Sequence, residues 1–139
     1  MRKIKTFFIV AIVLLSAVKA VSAEQPKREF RSVWIATVAN IDWPKTKGTS
    51  ASVVNSQKSS LIAYLDRMQE MNLTTICFQV RSMCDAMYKS SYEPWSSYLT
   101  GTRGVDPGWD PLAFAVEECH KRGIECYAWV NPYRWSSTG

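Results

Sequence analysis

Apolar residues recur along this chain in two rhythms, one of period two and one of period three to four. Residues 31–38 (RSVWIATV), 74–80 (TTICFQV) and 124–130 (IECYAWV) are short, rich in β-branched and aromatic residues and bounded by turn formers, so each is expected to be a strand. Between the first two, residues 54–71 place Leu61, Leu65 and Met68 at i, i+4 and i+7, with Ile62 widening the stripe, as on one face of a helix. Asn72 is its expected stop. Before the third strand, Asp110 and Pro111 open a second helix, Asp as an N-cap and Pro in the first turn. Leu112, Ala115, Val116 and Cys119 form its apolar face, and Lys121-Arg122-Gly123 closes it, with cations at the negative end and Gly to terminate.

The order strand, helix, strand, helix, strand implies parallel βαβ units and an α/β fold. Residues 40–52 and 81–109, the segments leading from strand to helix, are long and carry most of the Pro, Gly and polar residues, whereas the helix-to-strand links are tight. A loop as long as the second is usually functional. In a (β/α)8 barrel such loops, at the carboxyl ends of the strands, carry the site. A doubly wound sheet would share the alternation but often has a Gly-rich phosphate turn after its first strand. Here that position reads Ala39-Asn40-Ile41-Asp42. A full barrel takes about 250 residues, so the three strands are expected to be the opening part of one. The alternative, a complete three-strand α/β protein, would leave strand edges unpaired.

Residues 1–23 read differently. Arg2, Lys3 and Lys5 precede an apolar run over residues 6–15, and Val21-Ser22-Ala23 fits a small-residue cleavage site, so this stretch is expected to be an export signal removed after Ala23. The run is short of the roughly 20 apolar residues a membrane span needs, and Lys19 breaks it. Residues 24–30 form a polar lead-in. The protein is thus expected outside the cytoplasm, periplasmic or extracellular, with no membrane association after cleavage. The leader also holds four of the 17 Lys+Arg residues and no acid, leaving 13 against 12 Asp+Glu. The net charge of +5 therefore belongs mostly to the leader and offers no case for nucleic acid as a partner.

Three clusters fall at the carboxyl ends of the strands. They are Asn40, Asp42 and Trp43; then Gln79 and Arg81 followed by Asp85, Tyr88 and Trp95; then Trp129, Asn131, Tyr133 and Arg134. Sugars need planar donors and acceptors for their hydroxyl groups and aromatic faces for their C–H surfaces, and these residue types supply both. Strand alternation points Gln79 and Arg81 to one face and Ile76, Phe78 and Val80 to the other, and the same count groups Tyr127, Trp129 and Asn131. Asn40, Arg81 and Asn131 are expected to gather around one hollow. Each residue also has a purely architectural reading. Arg81 would pair with Asp85 or Asp42 to hold the barrel top, Trp43 and Trp95 would anchor loops, and Trp34 is expected in the core. His120 is expected at the surface near a helix end, and Glu117 and Glu118 on a solvated outer helix face. Cys77, Cys84, Cys119 and Cys126 lack zinc spacing and are expected as buried free thiols, although an exported chain also permits bridges, in any of three full pairings. No metal cluster or phosphate loop appears, and no cofactor is expected.

Taken together, REFRSVWIATVANIDWP, ICFQVRSMCDAMYKSSYEPWSSYLTG and GWDPLAFAVEECHKRGIECYAWVNPYR resemble the start of the glycosyl hydrolase-like 10 family, bacterial exported proteins. The resemblance covers nearly all of residues 24–139. It implies a TIM-type barrel, hydrolysis of O-glycosidic bonds and polysaccharide or cell-wall glycan strands as substrate. The family motif positions are Asn40, Asp42, Trp43, Gln79, Arg81, Asp85, Tyr88, Trp95, Asn131, Tyr133 and Arg134. Glycoside hydrolysis usually requires two carboxyl groups across the scissile bond. In barrel hydrolases these usually come from later strands, so the catalytic acids are expected beyond residue 139, with Asp42 the outside candidate and this segment alone inactive. Two other classes share the same residues: a carbohydrate-binding protein without chemistry, and a structural or surface-interaction protein whose Trp residues are core.

Overall fold

In the computed structural model, which describes residues 29–135, the three apolar segments become strands β1 (Ser32–Ile35), β2 (Thr75–Arg81) and β3 (Glu125–Val130). They form one parallel sheet in the order β1-β2-β3, so strands adjacent in sequence are adjacent in space. Helices α1 (Ala51–Glu70), α2 (Ser97–Thr100) and α3 (Pro111–Lys121) fill the connections. This is the α/β arrangement of a partial barrel, with two long crossover helices as expected and a third, short helix that the residue pattern did not announce. The export signal expected over residues 1–23 lies outside the described residues. Among the described residues no helix is long and apolar enough to cross a membrane.

The sheet has two unlike faces. Ile35, Ile76, Phe78 and Val80 point to one side and are buried against Leu61, Leu65 and Met68 of α1 and Ala115 and Cys119 of α3, making a single apolar core. Trp34, Cys77 and Tyr127, which are register partners across the three strands, point to the other side. That side is open: Trp34 is 61% exposed and Tyr127 half-exposed. The expectation that Trp34 is core is therefore corrected. Its neighbours Val33 and Ile35 pack on the helices, and alternation along a strand forces Trp34 to the opposite face.

Local chemistry sets the element ends. The first long helix begins three residues earlier than its apolar stripe, because Ser50 Oγ accepts the amide of Val53 and caps it. It ends in a Schellman turn: Asn72 takes a left-handed conformation (φ 54°), its amide donates to the carbonyl of Gln69, and Leu73 N–H donates to Met68. The carboxylate of Asp110 accepts Ala113 N–H at 2.9 Å to start α3, and Gly123 (φ 67°) closes it as expected. The segment 81–109 is not structureless. Ala86 lies opposite Trp95 in an isolated parallel bridge, its amide donating to the Pro94 carbonyl and its carbonyl accepting from Ser96 N–H, and Leu99 from α2 is fully buried in the core.

Glu118 corrects the picture of a solvated helix face. It is buried and accepts hydrogen bonds from Lys121 Nζ and Arg122 Nη1, both at 2.7 Å. Arg122 in turn reaches Asp66 of α1 at 2.7 Å, so the three charges tie the two long helices together. Hydrogen bonding by Lys121 first, and by Arg122 second, holds the Glu118 carboxyl below the usual carboxylate range. A carboxyl with a depressed folded-state pKa contributes stability above its unfolded value and loses it as pH falls through the folded value. Glu118→Gln is therefore expected to lower stability at pH 7 by about 1 kcal/mol, read from urea unfolding, with the gap to wild type closing below about pH 4. A gap that stays constant down to low pH would contradict this role.

Candidate functional site

The carboxyl end of β1 is shaped by side chains rather than by the sheet ladder. Pairing with β2 stops at Ile35. The next three amides are then taken one by one: Ala36 N–H donates to Asp42 Oδ2 at 2.8 Å, and Thr37 and Val38 N–H donate to Gln79 Oε1 at 2.9 and 2.8 Å. Thr37 Oγ1 returns a bond to the Gln79 carbonyl at 2.9 Å. With its amides satisfied, the chain turns at once through a 3₁₀ turn over Val38–Asn40, in which Ala39 and Asn40 have positive φ. This is why β1 is half the length expected from residues 31–38.

That turn decides where Trp43 and Asn40 go. Trp43 swings to the helix side of the sheet, is 0% exposed, packs edge-on against Phe78 and Trp109, and donates Nε1–H to the Gln57 carbonyl at 3.0 Å. It is an anchor of the core. Asn40 donates its Nδ2 hydrogens to the carbonyls of Pro44 (2.6 Å) and Tyr98 (2.9 Å), joining the first loop to α2.

At the end of β2, Arg81 is fully engaged. Its Nε donates to both oxygens of Glu93 at 2.7 and 2.9 Å, Nη1 donates to the Asn131 carbonyl at 2.5 Å, and Nη2 meets Cys84 Sγ at 3.2 Å. The partner expected for Arg81 was Asp85 or Asp42; it is Glu93, twelve residues along the loop. Hydrogen bonding by Glu93 raises the Arg81 pKa further. Asp85 is buried and accepts Ser82 Oγ–H and Met83 N–H at 3.0 and 2.8 Å, closing a tight turn. Tyr88 and Trp95 are half-buried against the core, in the loop-anchoring role.

At the end of β3, Asn131 interlocks with Arg81. Its backbone amide donates to the Arg81 carbonyl at 3.0 Å, and its Oδ1 accepts Trp129 Nε1–H at 2.9 Å. Trp129 shares the open face with Gln79, its register partner, and meets Trp34 edge-on with ring centroids 4.8 Å apart. β1 and β3 are separated by β2, so about 10 Å lies between their backbones. Two indoles, one from the partner of Cys77 and one from the partner of Gln79, bridge that distance on the open face. Phe30 and Tyr127 continue the aromatic strip at 6.1 Å. Tyr133 is 97% exposed and Arg134 also faces solvent.

Of the three residues expected around one hollow, Arg81 and Asn131 are brought together, while Asn40 binds toward Pro44 and Tyr98. On the open face the surface carries an aromatic strip. A hollow of about 620 Å³ opens instead at the amino ends of the strands, lined by Phe30, Arg31, Thr74 and Glu125 among others. Two polar atoms of the strand-end clusters, Gln79 Nε2 and Asn40 Oδ1, are buried without a hydrogen-bond partner. Among the described residues no three His, Cys, Asp or Glu side chains stand within reach of one metal ion. Trp34 and Glu93 are the residues that motif reading overlooked. The parity of strand one pointed to Trp34, but nothing local marks Glu93 as the partner of Arg81.

The family model described as glycosyl hydrolase-like 10 matches residues 29–136. The glycosyl hydrolase YngK of Bacillus subtilis (strain 168) is 48% identical over 130 residues, which is 91% of this chain and 25% of YngK. The glycosyl hydrolase DigH of Escherichia coli (strain K12) is 39% identical over 119 residues, 83% of this chain and 27% of DigH. The chain thus spans about a quarter of the length of the curated relatives it matches.

The geometry makes Gln79 the residue whose loss disturbs most. In Gln79→Leu the amides of Thr37 and Val38 keep their burial and lose their acceptor. A loss of about 2–4 kcal/mol is expected from urea unfolding, and a change under about 0.5 kcal/mol, the level of ordinary surface substitutions, would show that the turn holds itself.

Proposed function

The chain belongs to the glycosyl hydrolase-like 10 family, and on that premise we propose that it is the opening part of an exported (β/α)-barrel hydrolase acting on polysaccharide or cell-wall glycan. Its own share of the work is to hold the sugar. The observation that carries this is the open face of the sheet, where Trp34, 61% exposed, and Trp129 form an aromatic surface. Indole faces cover the C–H surface of a pyranose. Asn131 fixes the tilt of Trp129, and Tyr133 and Arg134 stand free beyond it. Export rests on the charged and apolar leader over residues 1–23.

The acids speak for a division of labour. A glycosidase places two carboxyl groups about 5–5.5 Å or about 6.5–9.5 Å apart across the bond it breaks. Here Asp42 holds the Ala36 amide, Asp85 holds its own turn and Glu93 neutralises Arg81. Each of these carboxylates is committed to structure, so the catalytic pair belongs to other parts of the full-length protein. The same commitment favours a second reading, a carbohydrate-binding protein with no chemistry. Paired acids at later strand ends of the full-length protein distinguish the first reading from the second.

The test uses the chain with chitotetraose as a probe of glycan binding. Intrinsic tryptophan fluorescence is expected to shift on titration with no release of new reducing ends, and Trp129→Ala is expected to weaken binding about tenfold, a loss of about 1.4 kcal/mol. Measurable turnover would overturn the division of labour. Absence of any fluorescence change for this and for cellulose- or xylan-derived oligosaccharides would overturn the sugar-holding role.

A further inference from the structure

β2 and β3 lose step just before they end. Gln79 pairs with Trp129, but the next pair is Arg81 with Val130, so β2 carries one extra residue there. Such a bulge re-aims the side chains beside it. Just past it, Asn131 is gripped through its backbone and through its side chain. Its amide donates to the Arg81 carbonyl at 3.0 Å, and its own carbonyl accepts Arg81 Nη1–H at 2.5 Å. Its Nδ2 donates to the Ser82 carbonyl at 3.3 Å, which leaves Oδ1 aimed at the indole N–H of Trp129, 2.9 Å away. Pro132 follows and disfavours helical backbone at Asn131, so the chain leaves the sheet extended.

Arg81 makes this grip, and Glu93 aims Arg81. The carboxylate takes Nε with both oxygens and Nη2 at 2.5 Å. A guanidinium is a rigid planar fork, so a carboxylate fixed on its Nε edge also fixes where Nη1 points. Both side chains are largely buried, 15% and 20% exposed. Burying such a pair costs desolvation and is weak evidence of a gain in stability. All four cysteines are free thiols, Cys119 alone being fully buried, and Cys84 is the one that meets this cluster, at Arg81 Nη2. The cluster ends on one group with no structural duty of its own, the half-exposed indole of Trp129, whose ring meets Trp34 at 69°.

We propose that Arg81 and Glu93 are positioning residues for Trp129: acting through Asn131, they hold its indole at the angle that presents the aromatic surface to a sugar ring, and neither touches the sugar. Loss of either lets Asn131 move, and the indole then turns about its side-chain bonds. The use of this arrangement rests on the sugar-holding role of the open face; the arrangement itself does not.

Nitrogen–proton correlation spectra of the labelled chain read the indole N–H groups one by one. Trp129→Phe identifies the Trp129 signal. Trp43→Phe identifies that of Trp43, whose N–H is held separately by the Gln57 carbonyl in the core. Arg81→Met is expected to shift the Trp129 signal to its position in Asn131→Ala and to speed its hydrogen exchange about tenfold, with Trp43 unmoved. Glu93→Gln keeps the shape of the side chain, serves if Arg81→Met does not fold, and is expected to move the same signal in the same direction. A Trp129 signal that stays in place, or moves only together with Trp43, would overturn the proposal. Chitotetraose binding supplies a second readout. Arg81→Met is expected to weaken it about threefold in the wild-type background and to change nothing in Trp129→Phe. Equal weakening in both backgrounds would make Arg81 a sugar contact and overturn the proposal. Absence of binding by the wild-type chain counts against the sugar-holding role alone, and the indole signals still decide the positioning role.

Discussion

Much of this structure depends on how β1 ends. A strand that leaves a sheet carries backbone amides that must find acceptors, since a buried N–H without a partner costs about 1–3 kcal/mol. Three successive amides face that problem after Ile35, and three side-chain contacts solve it: one from Asp42 and two from Gln79. Because the acceptors are side chains, the backbone need not continue extended. It turns within a few residues, which brings Trp43 round to seal the helix side of the core and Asn40 to grip α2. Gln79 lies on β2 and its amide sits on the open face, so the same side chain that ends one strand also faces the aromatic strip of Trp34 and Trp129.

The strand ends are then locked to one another rather than left as independent loops. Gln79 ties β2 to β1, and Arg81 ties β2 to β3 through Asn131 while Glu93 balances its charge. Chains of hydrogen bonds of this kind hold side chains in fixed rotamers, and they use up the functional groups involved. Among the strand-end carboxylates, the bonds to Asp42, Asp85 and Glu93 show what each is for: turn, turn and ion pair. What stays open is the aromatic surface of Trp34 and Trp129, suited to covering the face of a sugar ring.

The residue pattern made the element order and the core legible, because period-two and period-3.6 burial are written into single residues such as Phe78, Leu61 and Leu65. It also brought the motif residues to the correct ends of the strands. It could not distinguish a polar residue that binds a ligand from one that satisfies a backbone amide, since Gln79, Asp42 and Asp85 have identical chemistry in either role. The two readings of Trp43, ligand contact and anchor, stay open for the same reason: a Trp beside a turn enters the core or the solvent according to which way the turn runs, and that is set in part by Gln79, forty-one residues after Val38. Trp34 reads as core from its apolar character, whereas strand parity sends it to the open face. Glu93 is not legible in the sequence, because its partner Arg81 lies twelve residues away along the loop and no local motif marks the pair.

Amide hydrogen exchange at Thr37 and Val38 tests the central claim most directly. Both lie beyond the last sheet pairing of β1, where a loop would exchange within seconds to minutes. If the Gln79 side chain holds them, they exchange as slowly as the paired amides of β2 in the native protein. Exchange at the rate of free loop amides, with β2 still protected, would contradict the account.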